Sequence, residues 1–190
     1  SINHLEVDHV AQSGGGPGDE HCYSTGLMYH YLLTGTETSR SAVLKMAGWI
    51  TYYMEGTGSL LEHLQKILTK DIPLIKRIIR GEIVMENDYQ FTRGTGNYIN
   101  TLLDAYFLTN DNEYIEMAEH VIKYSIHPLD NIVDRKLENV EDNWSYLVHI
   151  QSLIKYLHIK IESENFDESF EYTLACLRHY VEWIYENEYF

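Results

Sequence analysis

Three stretches of this 190-residue chain gather side chains that can do chemistry together. The first reads DHVAQSGGGPGDEHCYSTG, in which Gly14, Gly15, Gly16, Pro17 and Gly18 precede Asp19, Glu20, His21 and Tyr23. Glycine permits backbone paths closed to other residues, and acid, imidazole and phenol in succession suit proton transfer near neutral pH, with His21 the foremost candidate. No GxxxxGKS or GxxxxGKT follows and no strand precedes, so a phosphate cradle is not expected. The second stretch, MENDYQFTRGTGN, sets Arg93 between Thr92 and Gly94, with Asn97 and Tyr98 opening the next helix. A guanidinium at a helix mouth beside glycines suits bidentate recognition of a carboxylate. The third, LENVEDNW, offers Glu138, Glu141, Asp142, Asn143 and Trp144. An indole face is a platform for a sugar ring, and Glu141 or Asp142 is a carboxylate partner for Asp19 or Glu20 across an opening.

Each of these residues also has a purely structural reading. The glycine-rich stretch is then a solvated connection, and Arg93 a salt-bridge partner for one of the many carboxylates. Glu141 and Asp142 become caps at the positive end of a helix, and Trp144 core. Cys22 follows His21 in sequence only, which is weak ground for a thiol nucleophile. Cys22 and Cys176 are the two cysteines, and neither stands in a CxxC or Cys/His cluster. His30, His120, His149, His158 and His179 fall within helical patterns without HExxH spacing, so they read as structural, and neither a metal nor another cofactor is expected. His127-Pro128 reads as a helix stop.

The elements that must position these residues are helices, and they repeat. His30-Tyr31-Leu32-Leu33-Thr34-Gly35 recurs as Ala105-Tyr106-Phe107-Leu108-Thr109-Asn110, each followed by a short polar turn. The first copy continues through Ala42, Val43, Met46, Ala47, Trp49 and Ile50, and the second through Tyr114, Ile115, Met117, Ala118, Val121 and Ile122, at the spacing of a buried helix face. A weaker third copy starts at Trp144, breaks at SENFDES and returns from Phe170 to Ile184. The chain is therefore expected to be all-α, one domain over 1–190, with antiparallel hairpins at about 20 to 55, 97 to 126 and 143 to 187. Residues 59 to 80 read as two short helices around Pro73, ended by Gly81, and VDHVAQ as extended. Hairpins stacked in one sense would place all three lead-in stretches at one end, where a rigid scaffold usually carries its site.

Composition narrows the partners. Lys and Arg number 14 against 29 Asp and Glu, a formal net charge of -15, which repels phosphate backbones and anionic headgroups, so neither nucleic acid nor membrane is expected. No run approaches the roughly 20 apolar residues of a membrane span. The opening SINHLEVDHV lacks the features of a signal peptide, yet Ser1-Ile2 reads as a start inside a longer protein, which leaves an exported or periplasmic parent open. Sixteen tyrosines suit a wet, partly buried groove as well as core edges.

The segments EHCYSTGLMYHYLLTGTETSRSAVLKMAGWI and TRGTGNYINTLLDAYFLTNDNEYIEMAEHVIKYSI resemble the helix, YxLTGD, helix unit of the six-hairpin (α/α)-toroid superfamily of carbohydrate-active enzymes. The GGGPGDEHCYSTGL stretch is most similar to proteins related to exo-rhamnogalacturonan lyases. Thr36 stands where that motif often has Asp, and three hairpins stand where the full toroid has six. The resemblance implies half a toroid, a fragment of a larger enzyme, acting on an acidic poly- or oligosaccharide. As a lyase it would use Arg93 to neutralise a uronate carboxylate, His21 or Tyr23 to remove the α-proton, and an acid such as Glu20 or Glu141 for the leaving oxygen. Asp19, Asn97, Asp142 and Trp144 would bind substrate. A glycoside hydrolase would instead pair Asp19 or Glu20 with Glu141 or Asp142. A helical-repeat scaffold without catalysis is the third alternative. Half a toroid also leaves apolar helix faces uncovered, so a homodimer, or cover from the remainder of a parent chain, is expected.

Overall fold

The computed structural model describes residues 18–56, 89–139 and 145–188. All regular structure among them is helical. Six α-helices follow in three pairs: α1 (Thr25–Thr34) and α2 (Glu37–Glu55), α3 (Arg93–Thr109) and α4 (Asn112–Lys123), and α5 (Tyr146–Glu162) and α6 (Glu168–Asn187). Short 3-10 turns occupy Asp19–His21 and Ile132–Arg135. The expected helices around Pro73 and the extended VDHVAQ lie outside the described residues.

The repeated sequence is a repeated piece of geometry. In the first two pairs the leading helix ends in a left-handed residue, Gly35 at φ 69° and Asn110 at φ 56°. Gly35 N donates to Tyr31 O and Asn110 N to Tyr106 O, both at 2.7 Å. The preceding threonines, Thr34 and Thr109, each return a hydroxyl to the carbonyl four residues back. Asp111 then caps α4 by accepting from Glu113 N at 3.1 Å, whereas Thr36 makes no such bond to α2 and its hydroxyl lies 2.7 Å from that of Thr34. The departure of Thr36 from the aspartate of the motif is thus a missing cap. In the third pair Glu164 takes the left-handed position, and Asp167 caps α6 by accepting from Phe170 N at 3.0 Å.

The leading helices α1, α3 and α5 run in one sense. Gly96, in the first turns of α3, lies so close to α5 that an added Cβ would come within 2.7 Å of His149 N. Nearer the other end, Lys155 of α5 reaches Asp104 of α3. Helix α3 is central and buries Ile99, Leu102, Leu103 and Ala105 completely. It meets Ile50 of α2, Ala118, Val121 and Ile122 of α4, and Leu153 and Tyr156 of α5 in one core, which α6 extends with Phe170, Cys176 and Tyr180. Helix α1 is the outlier: Met28 is its one buried residue, and Tyr29, Leu32 and Leu33 face solvent.

The observed boundaries differ from the sequence expectation at each leading helix. The first begins at Thr25, because residues before it run along the flank of α3. The second begins at Arg93, so Asn97 sits inside the helix instead of opening it. The third begins at Tyr146.

Candidate functional site

Four side chains of α3 form one polar stripe at helical spacing, Arg93, Asn97, Thr101 and Asp104, and it straps residues 19 to 25 against the helix. Arg93 Nη2 donates to Glu20 Oε2 at 2.5 Å, and Asn97 Nδ2 donates to the carbonyls of Asp19 and Glu20 at 3.3 and 3.0 Å. Thr101 Oγ1 lies 3.6 Å from Cys22 Sγ and accepts from Ser24 Oγ at 3.1 Å. Asp104 Oδ2 accepts from Ser24 Oγ at 2.6 Å and Thr25 Oγ1 at 2.9 Å. Its other oxygen takes Lys155 Nζ at 2.5 Å, and the same ammonium donates to Asn100 O. The Asp19 carboxylate lies at the first turn of α3, where a Cβ on Gly94 would overlap it. That is the end of the helix dipole that favours an anion.

Strapped in this way, the segment presents alternate side chains to opposite sides. Cys22 and Ser24 point into the protein, and His21 and Tyr23 point out, their rings 6.4 Å apart edge to face. His21 forms part of the wall of an apolar recess of about 360 Å³ between the 3-10 turn and α2, with Cys22, Lys45, Met46 and Trp49. Trp49 is stacked on Tyr53 at 5.4 Å, which leaves the indole half-buried at the rim. Burial pushes the Cys22 thiol up, the nearby Asp19 charge adds to this, and the Thr101 hydroxyl opposes it, so the group stays protonated and is no nucleophile.

Asp19, Glu20, His21, Arg93 and Asn97 therefore stand together at the start of α3, with Tyr23 beside His21 further along that helix. Glu141, Asp142 and Trp144 lie outside the described residues. Two of the six already have structural work: Arg93 holds Glu20, and Asn97 holds backbone carbonyls. Three of the histidines that read as structural bond neighbours within the fold. His30 Nδ1 meets Ser39 Oγ at 2.9 Å, His158 faces Glu162, and His149 is wholly buried with Nε2 3.1 Å from Ser125 Oγ.

Lys45, Trp49, Asp104 and Lys155 were not singled out from sequence. Met46 and Trp49 read as core from their apolar helical pattern, and both are half-buried and packed against it, while the fully buried face of α2 is Ser39, Val43, Ala47 and Ile50. Asp104 carried a readable signal, an acid inside the apolar run TLLDAYFL, but nothing local points to Lys155. Among the described residues no helix is long and apolar enough to cross a membrane. No family model matches the chain, and neither a curated protein nor a solved structure does.

Proposed function

We propose that the chain is the saccharide-handling part of a carbohydrate-active protein that cleaves an acidic poly- or oligosaccharide by elimination. The observation that carries this reading is the recess between the 3-10 turn and α2, where His21, Lys45 and Trp49 line one apolar hollow. The Trp49 ring takes the flat face of a sugar, as aromatic side chains do. Lys45 offsets the charge of a uronate carboxylate, the part first given to Arg93, whose guanidinium is occupied by Glu20. With that charge offset, His21 removes the proton on the carbon next to the carboxylate. The electron pair of the C–H bond forms the new double bond, the C–O bond to the departing sugar breaks, and Tyr23 or another acid delivers a proton to the leaving oxygen. The three helical pairs support a reading of the chain as half of an (α/α) toroid.

Incubating the protein with a panel of pectic and glycosaminoglycan polysaccharides tests the proposal. Elimination yields an unsaturated uronate, seen as a rise in ultraviolet absorbance and as products lighter by one water than hydrolytic ones. His21→Ala should lower turnover by about a hundredfold or more, the usual worth of a general base. Products that have gained water would place the chain with the hydrolases, and a complete lack of turnover and of saccharide binding would overturn the reading.

One observation favours the scaffold alternative, the exposed Tyr29, Leu32 and Leu33 of α1. An apolar face of this kind needs cover, from a second copy or another chain. Light scattering over a range of concentrations distinguishes self-association from a stable monomer.

A further inference from the structure

We infer that a second recess, formed by the C-terminal half of α6 and the 3-10 turn Ile132–Arg135, binds an organic cation of the guanidinium or alkylammonium kind. His179, Glu182, Trp183 and Glu186 recur at three and four residues along α6 and line a cavity of about 280 Å³ with Ile132 and Val133. Its walls offer acceptors and an aromatic ring, and no lysine or arginine lines it. The one carboxylate there that is already satisfied is Asp130, whose Oδ2 accepts from Arg135 at 2.6 Å, Tyr180 at 2.6 Å and His127 N at 2.9 Å. His179 Nε2 donates to Asp130 O at 2.7 Å, so in the neutral ring Nδ1 is another acceptor.

Two features of the exposed Glu182 and Glu186 favour a cationic occupant. Glu182 and Glu186 are like charges one helical turn apart, which repel. Both lie towards the negative end of the α6 dipole, in a helix with no basic residue in its last turn. Neither has an ion-pair partner among the described residues. A cation in the recess relieves both, and an indole is the ring best suited to hold one. The occupant is larger than a metal ion, because among the described residues no three His, Cys, Asp or Glu side chains converge tightly enough to hold one.

The test is titration of the whole chain with methylguanidinium, followed by the indole N–H signal of Trp183 in a heteronuclear NMR spectrum, assigned through Trp183→Phe. A saturable shift is expected, and methylurea, of the same shape without the charge, should leave the signal in place. Glu182→Gln with Glu186→Gln should weaken binding by about tenfold or more, the equivalent of about 1.4 kcal/mol, without lowering the thermal midpoint. A capped Gly-Arg-Gly peptide separates the sources: equal binding means a side chain of a protein partner, and binding of methylguanidinium alone means a free small molecule. The inference is overturned if methylurea or sodium chloride at equal ionic strength shifts the signal as far, if nothing saturates, or if the double variant binds unchanged.

Discussion

Lys155 donates to Asp104 at 2.5 Å across the seam between α5 and α3, and the carboxylate it meets is wholly buried while the lysine side chain keeps 24% of its surface exposed. The pair is therefore asymmetric. Lys155 can swing into water, and Asp104 cannot.

That asymmetry orders two substitutions. Lys155→Met leaves an uncompensated buried carboxylate and should cost about 3–5 kcal/mol of stability, the range for breaking a buried pair from one side. Asp104→Asn keeps an acceptor for Ser24 and Thr25 and should cost less. Denaturant unfolding of both variants checks the order. Limited proteolysis should show the segment from 19 to 24 becoming easier to cleave in each.

Stability should fall on mild acidification because of His149. Burial, reinforced by the Arg135 guanidinium, lowers its pKa from 6.5 to about 3, and the Thr92 backbone opposes this only in part. The folded protein then binds the proton more weakly than the unfolded chain does. The unfolded state takes it up first as pH drops below about 6.5, so stability declines from there towards pH 3, where the folded state also protonates and the loss levels off. His149→Leu should flatten that part of the profile measured by thermal unfolding against pH. A profile as steep as the parent's would count against the assignment.

Gly96 is required by the approach of two helices. An added methyl group would come within 2.7 to 2.8 Å of the backbone of Val148 and His149, which cannot rotate away as a side chain tip would. Gly96→Ala should therefore destabilise by about 1–3 kcal/mol, although alanine is the better helix former. Gly48, with nothing within 4 Å of an added Cβ, is the control, and Gly48→Ala should stabilise slightly. Thermal midpoints of the two variants should move in opposite directions.

The turn between α1 and α2 can be improved by copying its repeat. Thr36→Asp should allow the cap that Asp111 makes to α4, worth about 0.5–1 kcal/mol. Denaturant unfolding should show a higher midpoint with an unchanged slope.

Much of the helical plan was legible because it rests on local physics. The two copies ending in Thr34-Gly35 and Thr109-Asn110 announced helix ends that need a left-handed residue, and both end so. The acidic caps Asp111 and Asp167 likewise act within three residues of their own position. Stacked hairpins were expected to bring all three lead-in stretches to one end; the first two meet through Glu20 and Arg93, and Glu141, Asp142 and Trp144 of the third lie outside the described residues. The chemistry within that group was not legible. Arg93 read either as a ligand-binding residue or as a salt-bridge partner and holds Glu20, and Asn97 holds the backbone of the chain itself, since a donor's partner is set by what packs against it.

The chain by itself determined the helices, their turns and the periodic apolar faces, because backbone hydrogen bonds, caps and side-chain spacing act over a few residues. Only the tertiary structure decided which polar groups of α3 face the segment from Asp19 to Thr25, that Asp104 meets Lys155, and that Trp49, packed against the core, also borders a hollow with His21. Those outcomes depend on the separation and rotation of whole helices. A close approach such as that of Gly96 to His149 sets them, and residues 53 positions apart leave no trace of it in their local pattern.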